Sequence, residues 1–114
     1  MMRYLLPLAV LAATALAPAS GQAAFIKRDV LLRSCSAGTA AQRADCESYI
    51  AGVTDSMLAG GAAGRTVCLP ERIELRALRD AVTGYLESHR QGGDGPAAVA
   101  VREALRALFP CPAR

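Results

Sequence analysis

The stretch CESYIAGVTD, Cys46 to Asp55, decides how this chain is read. Its apolar residues recur at helical spacing, yet it carries a cysteine at its start, a glycine in its interior and an aspartate beyond the glycine. A glycine inside a helix costs about 1 kcal/mol relative to alanine, so something should offset Gly52. Ser48, Gly52, Asp55 and Ala59 form a small, polar stripe beside the apolar one formed by Cys46, Ile50, Val53 and Met57. Such a stripe lets another helix approach closely. The expectation is packing inside the monomer, and the alternative is an interface with a second copy or a partner. Whether Cys46 is reactive, metal-bound or a staple depends on the compartment.

The first residues address the compartment. Arg3 precedes an apolar run from Tyr4 to Ala17, followed by Pro18 and small residues. Gly21-Gln22-Ala23 fits the small-x-small rule for cleavage, so residues 1–23 read as a signal peptide and Ala24 as the new N-terminus. The run is shorter than the roughly 20 residues needed to span a bilayer. It has no cysteine at the cut for a lipid anchor. This implies a periplasmic protein of 91 residues, residues 24–114, in one domain. Arg3 leaves with the leader, so 12 Lys and Arg remain against 10 Asp and Glu. That balance selects no charged partner. No basic run with interleaved aromatics points to nucleic acid.

From the central stretch outward, four helical segments are readable. A short first one spans about Phe25 to Ser34, with Ile26, Val30 and Leu31 inward. After Gly38, Thr39 and Gln42 match a capping box that starts the second helix, which runs to about Ala59 and stops at Gly60-Gly61. Gly60 to Arg65 is a loop. Pro70 opens the third segment, whose stripe is Ile73, Leu75, Leu78, Val82, Tyr85 and Leu86, with Arg72, Arg76, Arg79 and Asp80 facing water. His89 to Gly95 is a second loop. Pro96 suits the first position of the last helix, which carries Val101, Leu105, Leu108 and Phe109 on one face and Arg102, Glu103 and Arg106 on the other. No strand signal competes. The fold class is an all-α bundle of about four helices.

All four cysteines, Cys35, Cys46, Cys68 and Cys111, lie after the leader, and an even count in a small exported domain reads as disulfides. Four cysteines allow three pairings. Cys35 ends the first helix and Cys46 lies in the first turns of the second, so a short connection brings them together. Cys68 precedes the third helix and Cys111 follows the fourth, so an antiparallel pair brings those together. Cys35–Cys46 and Cys68–Cys111 is the favoured connectivity. Zinc and redox sites are disfavoured because no CxxC occurs and His89 is the single histidine.

In order along the chain, CESYIAGVTD, VCLPE (Val67 to Glu71), GYLESH (Gly84 to His89) and VREALRALFPCP (Val101 to Pro112) resemble the Rap/Tai family of type VI secretion immunity proteins. The resemblance implies a small helical periplasmic protein that binds and inhibits a peptidoglycan amidase effector, commonly as a homodimer and without a cofactor. It implies a framework role for Cys46, Tyr49, Gly52, Asp55, Cys68, Pro70, Tyr85, Leu86, Phe109 and Cys111. Here Arg90 follows His89 where family members often place a proline.

The remaining polar residues fit binding better than catalysis. Asp55 lacks a paired acid, since Glu47 is eight residues away along the helix. His89 suits the end of the third helix, where a cation meets the dipole. Tyr49 and Tyr85 are expected half-buried with paired hydroxyls. No nucleophile–base or metal set can be assembled, so a non-enzyme is expected. The residues free of folding duty are the loops and the arginine face: Gly61, Arg65, Arg72, Arg76, Arg79, Gly93 and Asp94 are the candidate partner contacts. The competing reading is a small periplasmic chaperone or envelope protein without a toxin partner.

Overall fold

The computed structural model describes residues 25–90 and 93–113; the signal-peptide reading of 1–23 and the loop residues Gln91 and Gly92 lie outside them. Four helices follow one another: α1 (Arg28–Ser36), α2 (Ala40–Leu58), α3 (Leu75–Ser88) and α4 (Ala97–Leu108). Every pair of them is in contact. Among the described residues, extended pairing is limited to two isolated bridges, Lys27 with Pro96 and Val67 with Pro110. No helix among them is long and apolar enough to cross a membrane.

The all-α reading and both staples stand. Cys35 and Cys46 are bonded, as are Cys68 and Cys111, leaving no free thiol. The first follows from the three-residue connection between α1 and α2, which folds them back on each other. The second joins the entrance of α3 to the exit of α4, where the Cys68 N–H donates to the Phe109 carbonyl at 2.8 Å.

The core is centred on Ile50 from α2, Val82 and Leu86 from α3, Val101 and Leu105 from α4, Val67 and Cys46, all essentially sealed from solvent. Burying a side chain of that size stabilises by roughly 1.5–3 kcal/mol. Three alanines of α4, Ala97, Ala100 and Ala104, are also buried. They sit at i, i+3 and i+7, and their small side chains let the neighbouring helices approach that face.

This corrects the seam expected on α2. Ser48, Gly52, Asp55 and Ala59 are all exposed. A Cβ built on Gly52 meets nothing within 4 Å, so no close helix contact offsets its propensity cost. The inward side of α2 is instead Cys46, Ile50 and Thr54, whose hydroxyl donates to the Ile50 carbonyl at 2.7 Å and so enters the core with its donor satisfied. Val53 and Met57 pack at its margin.

Other boundaries shift for local reasons. α1 begins at Arg28, turning Leu31, Leu32 and Cys35 inward and leaving Val30 exposed. Residues 70–73 close a turn, with the Ile73 N–H donating to the Pro70 carbonyl. α3 therefore starts at Leu75 rather than near Pro70, and Leu75 is exposed. Pro96 is the residue before α4 rather than its first turn, and Leu108 is largely outside the core. Thr39 caps α2 as expected, accepting from the Gln42 N–H at 3.2 Å. The Gln42 side chain returns to the Thr39 hydroxyl at 2.7 Å rather than to its backbone.

Candidate functional site

The sequence-selected contacts fall at two opposite ends of the α3–α4 pair. One end holds the loop between α2 and α3, the entrance of α3 and the exit of α4. The other holds the loop between α3 and α4 together with the start of α1. The 14 residues of α3 separate them by about 20 Å at the rise of an α-helix. A partner that reaches into one loop does not reach into the other without covering the whole length of the bundle.

The first end is open, with exposed arginines beside Glu71 and Glu74 at the entrance of α3. Gly61 and Gly64 adopt φ of 75° and 74°, a left-handed backbone that glycine takes at little cost, and they set the course of an exposed loop. Two turn bonds hold it, Gly61 N–H to Leu58 and Arg65 N–H to Ala62. Arg65, Arg72 and Arg76 are exposed here, and Arg106 from α4 donates to the Thr66 hydroxyl at 3.4 Å. A surface depression runs along this loop, bounded by Ala62, Arg65 and Thr66 on one side and Cys68, Pro110, Cys111 and Pro112 on the other.

Arg79 does not belong to that group. Its side chain is only 13% exposed and donates to Glu47 of α2 at 2.6 Å, while its other nitrogens pair with Asp80. It stitches α3 to α2 and has no free cation to offer a partner. A one-dimensional pattern cannot show this, because Arg72, Arg76 and Arg79 look alike along the helix and the decisive neighbour, Glu47, is 32 residues away.

At the second end, Gly93 has φ of 71°, and Asp94 lies 3.9 Å from Lys27 across an exposed gap. A hydrogen bond from the Asp94 carboxyl and then one from Arg33, 2.8 Å away, hold the Asp29 carboxyl down at about 2. His89 closes α3 in the expected manner: its ring Nδ1 donates to the Tyr85 carbonyl at 2.8 Å and its ring stacks on Tyr85 at 3.9 Å between centroids. Tyr49 and Tyr85 are half-buried as read from the sequence, but neither hydroxyl finds a partner among the described residues. Asp55 is exposed on α2, one turn before the loop that leads to α3.

The residue the sequence did not single out is Arg28. It is 7% exposed, and its Nη2 donates at 2.6 Å to each of two carbonyls at the end of α3, Leu86 and His89. No group of three or more His, Cys, Asp or Glu able to hold a metal ion occurs among the described residues.

A family model described as Rap1a immunity proteins matches residues 27–111, which takes in all four helices and both disulfides. No curated protein and no solved structure gives a match.

Proposed function

This chain belongs to the Rap1a immunity protein family, and on that footing we propose that it is a periplasmic antitoxin that binds and inhibits a type VI secretion peptidoglycan amidase effector. The observation that carries this reading is the family match across the entire four-helix body. The apolar leader over residues 1–23 supports export. Two disulfides in so small a domain support an oxidising compartment.

The mechanism we assign is occlusion. The open end presents a glycine-set loop beside Arg65, Arg72 and Arg76, none of which the core or an ion pair among the described residues requires. A loop can enter a cleft that a helix cannot, and the arginines suit an acidic rim, where they speed encounter more than they deepen affinity. Its two turn bonds restrain the loop, which lowers part of the ordering cost of binding.

Titration of a neighbouring-gene amidase on purified peptidoglycan tests the proposal. Occlusion predicts activity falling linearly to zero near one equivalent. Silencing by a small fraction of an equivalent would mean chemistry instead, and no inhibition of any adjacent amidase would remove the antitoxin reading. Arg72→Glu with Arg76→Glu should slow association by about tenfold at low salt, while Arg79→Glu should act through the fold.

A further inference from the structure

Each cysteine of this chain is bonded to its next neighbour in sequence: Cys35 to Cys46, then Cys68 to Cys111. That arrangement bears on how the bonds are made. In an unpacked chain, the chance that two thiols meet falls with about the 3/2 power of their separation. Cys35 and Cys46, 11 residues apart, have the shortest spacing of any two cysteines. Cys46 and Cys68, 22 residues apart, meet about threefold less often, and Cys68 and Cys111, 43 apart, about eightfold less often. Once Cys35–Cys46 exists, Cys68 and Cys111 are the last two thiols, and no wrong pairing remains.

Burial imposes the same order. Cys35 and Cys46 lie in the core, 7% and 0% exposed. If the bundle packed while they were still thiols, an oxidant could reach them only by opening it. Cys68 is exposed and Cys111 half-exposed, and both border the depression beside the α2–α3 loop. Their backbone is held together by contacts that use no sulfur. The buried Val67 bridges Pro110, and the Cys68 N–H donates to the Phe109 carbonyl at 2.8 Å. A bundle packed around Cys35–Cys46 alone thus keeps the other two thiols side by side at the surface.

We propose that the staples are installed in a fixed sequence: Cys35–Cys46 on the unpacked chain, and Cys68–Cys111 last, on the packed bundle, where a disulfide-bearing oxidant reaches Cys68 from solvent. The supplying reaction is thiol–disulfide exchange. The Cys68 thiolate attacks one sulfur of the oxidant's disulfide and expels the other sulfur as a thiolate. The Cys111 thiolate then attacks Cys68 Sγ and expels the first sulfur. The oxidant gains two electrons, and its two thiolates take up the two protons that the cysteines lost. No rearrangement separates the two bonds. The sequence needs the oxidising compartment of the periplasmic reading and is independent of the effector.

The test starts from fully reduced, unfolded protein diluted into reduced and oxidised glutathione, with timed acid quenching, alkylation and peptide mapping. The species holding Cys35–Cys46 alone should lead, with Cys46–Cys68 at about a third of it or less, and the native pair should follow directly. The trapped Cys35–Cys46 species supplies the second reading. Treated with oxidised glutathione, it partitions between the closed Cys68–Cys111 ring and glutathione mixed disulfides, and that ratio measures how well the two thiols are held together. The ratio should be about tenfold or more higher in buffer than in strong denaturant. A leading species with Cys68–Cys111 or Cys46–Cys68, or a ratio that denaturant leaves unchanged, would overturn the proposal.

Discussion

The two disulfides are the same bond in two different settings. Cys35–Cys46 joins residues 11 apart, and both sulfur-bearing residues are core, at 7% and 0% exposure. Cys68–Cys111 joins residues 43 apart; Cys68 is exposed and Cys111 half-exposed beside the open loop. The first replaces core side chains and the second straps an entrance. The contrast shows that one covalent device can fill space in one half of a bundle and restrain chain ends in the other, next to the surface assigned to binding.

The largest expected difference between the two ends is in reactivity. A thiolate reductant must reach a sulfur in line, which Cys68–Cys111 permits in the folded state. Cys35–Cys46 requires the bundle to open, so its reduction should be slower by roughly a thousandfold. Timed alkylation and peptide mapping measure both rates. Simultaneous reduction would erase the distinction between a core staple and a strap.

Stability separates the two in a second way. Loop entropy alone assigns about 4 kcal/mol to the longer ring and about 3 kcal/mol to the shorter. Replacing Cys35 and Cys46 by alanine also loses about 1–2 kcal/mol of buried packing. The two double-alanine variants should therefore cost nearly the same in chemical denaturation. A clear excess for Cys68→Ala with Cys111→Ala would mean that burial of the first pair contributes little.

Within the arginine face, Arg79→Met should destabilise by about 1 kcal/mol by leaving Glu47 half-buried without its partner, whereas Arg76→Met should change a thermal melt hardly at all. Equal effects would place both in solvent or both in the frame. The smallest effect is expected at the exposed glycine of α2. Gly52→Ala should raise stability by about 0.5–1 kcal/mol through helix propensity. A loss would restore the close contact that the sequence suggested and the exposed face denies.

What could be read beforehand follows from how local each cause is. The start of α2 is written into Thr39 and Gln42, three residues apart, and the disulfides follow from cysteines placed at helix ends. Arg28 was not readable, because nothing in RDVLLRSC says which charged residue turns inward; its partners are 58 and 61 residues away. The stripe at Gly52 was misassigned because a run of small residues has the same period whether it faces a helix or water. The seam that does pack, Ala97, Ala100 and Ala104, hid among residues that are ordinary helix formers. At the site, the loop glycines and Arg65, Arg72 and Arg76 were legible as surface, while the withdrawal of Arg79 from that surface rests on a contact with another helix.

The order of the cysteines has a further result. The rings closed by residues 35–46 and 68–111 lie one after the other along the chain, neither nested nor interlocked. A single cut after the exposed Arg65 would thus yield two covalently separate pieces, one carrying α1 and α2 and the other α3 and α4, each with its own crosslink. The chain is in effect a pre-divided heterodimer, its halves held to each other by side-chain packing, the Lys27–Pro96 bridge, the bonds of Arg28 to the end of α3 and the Glu47–Arg79 pair.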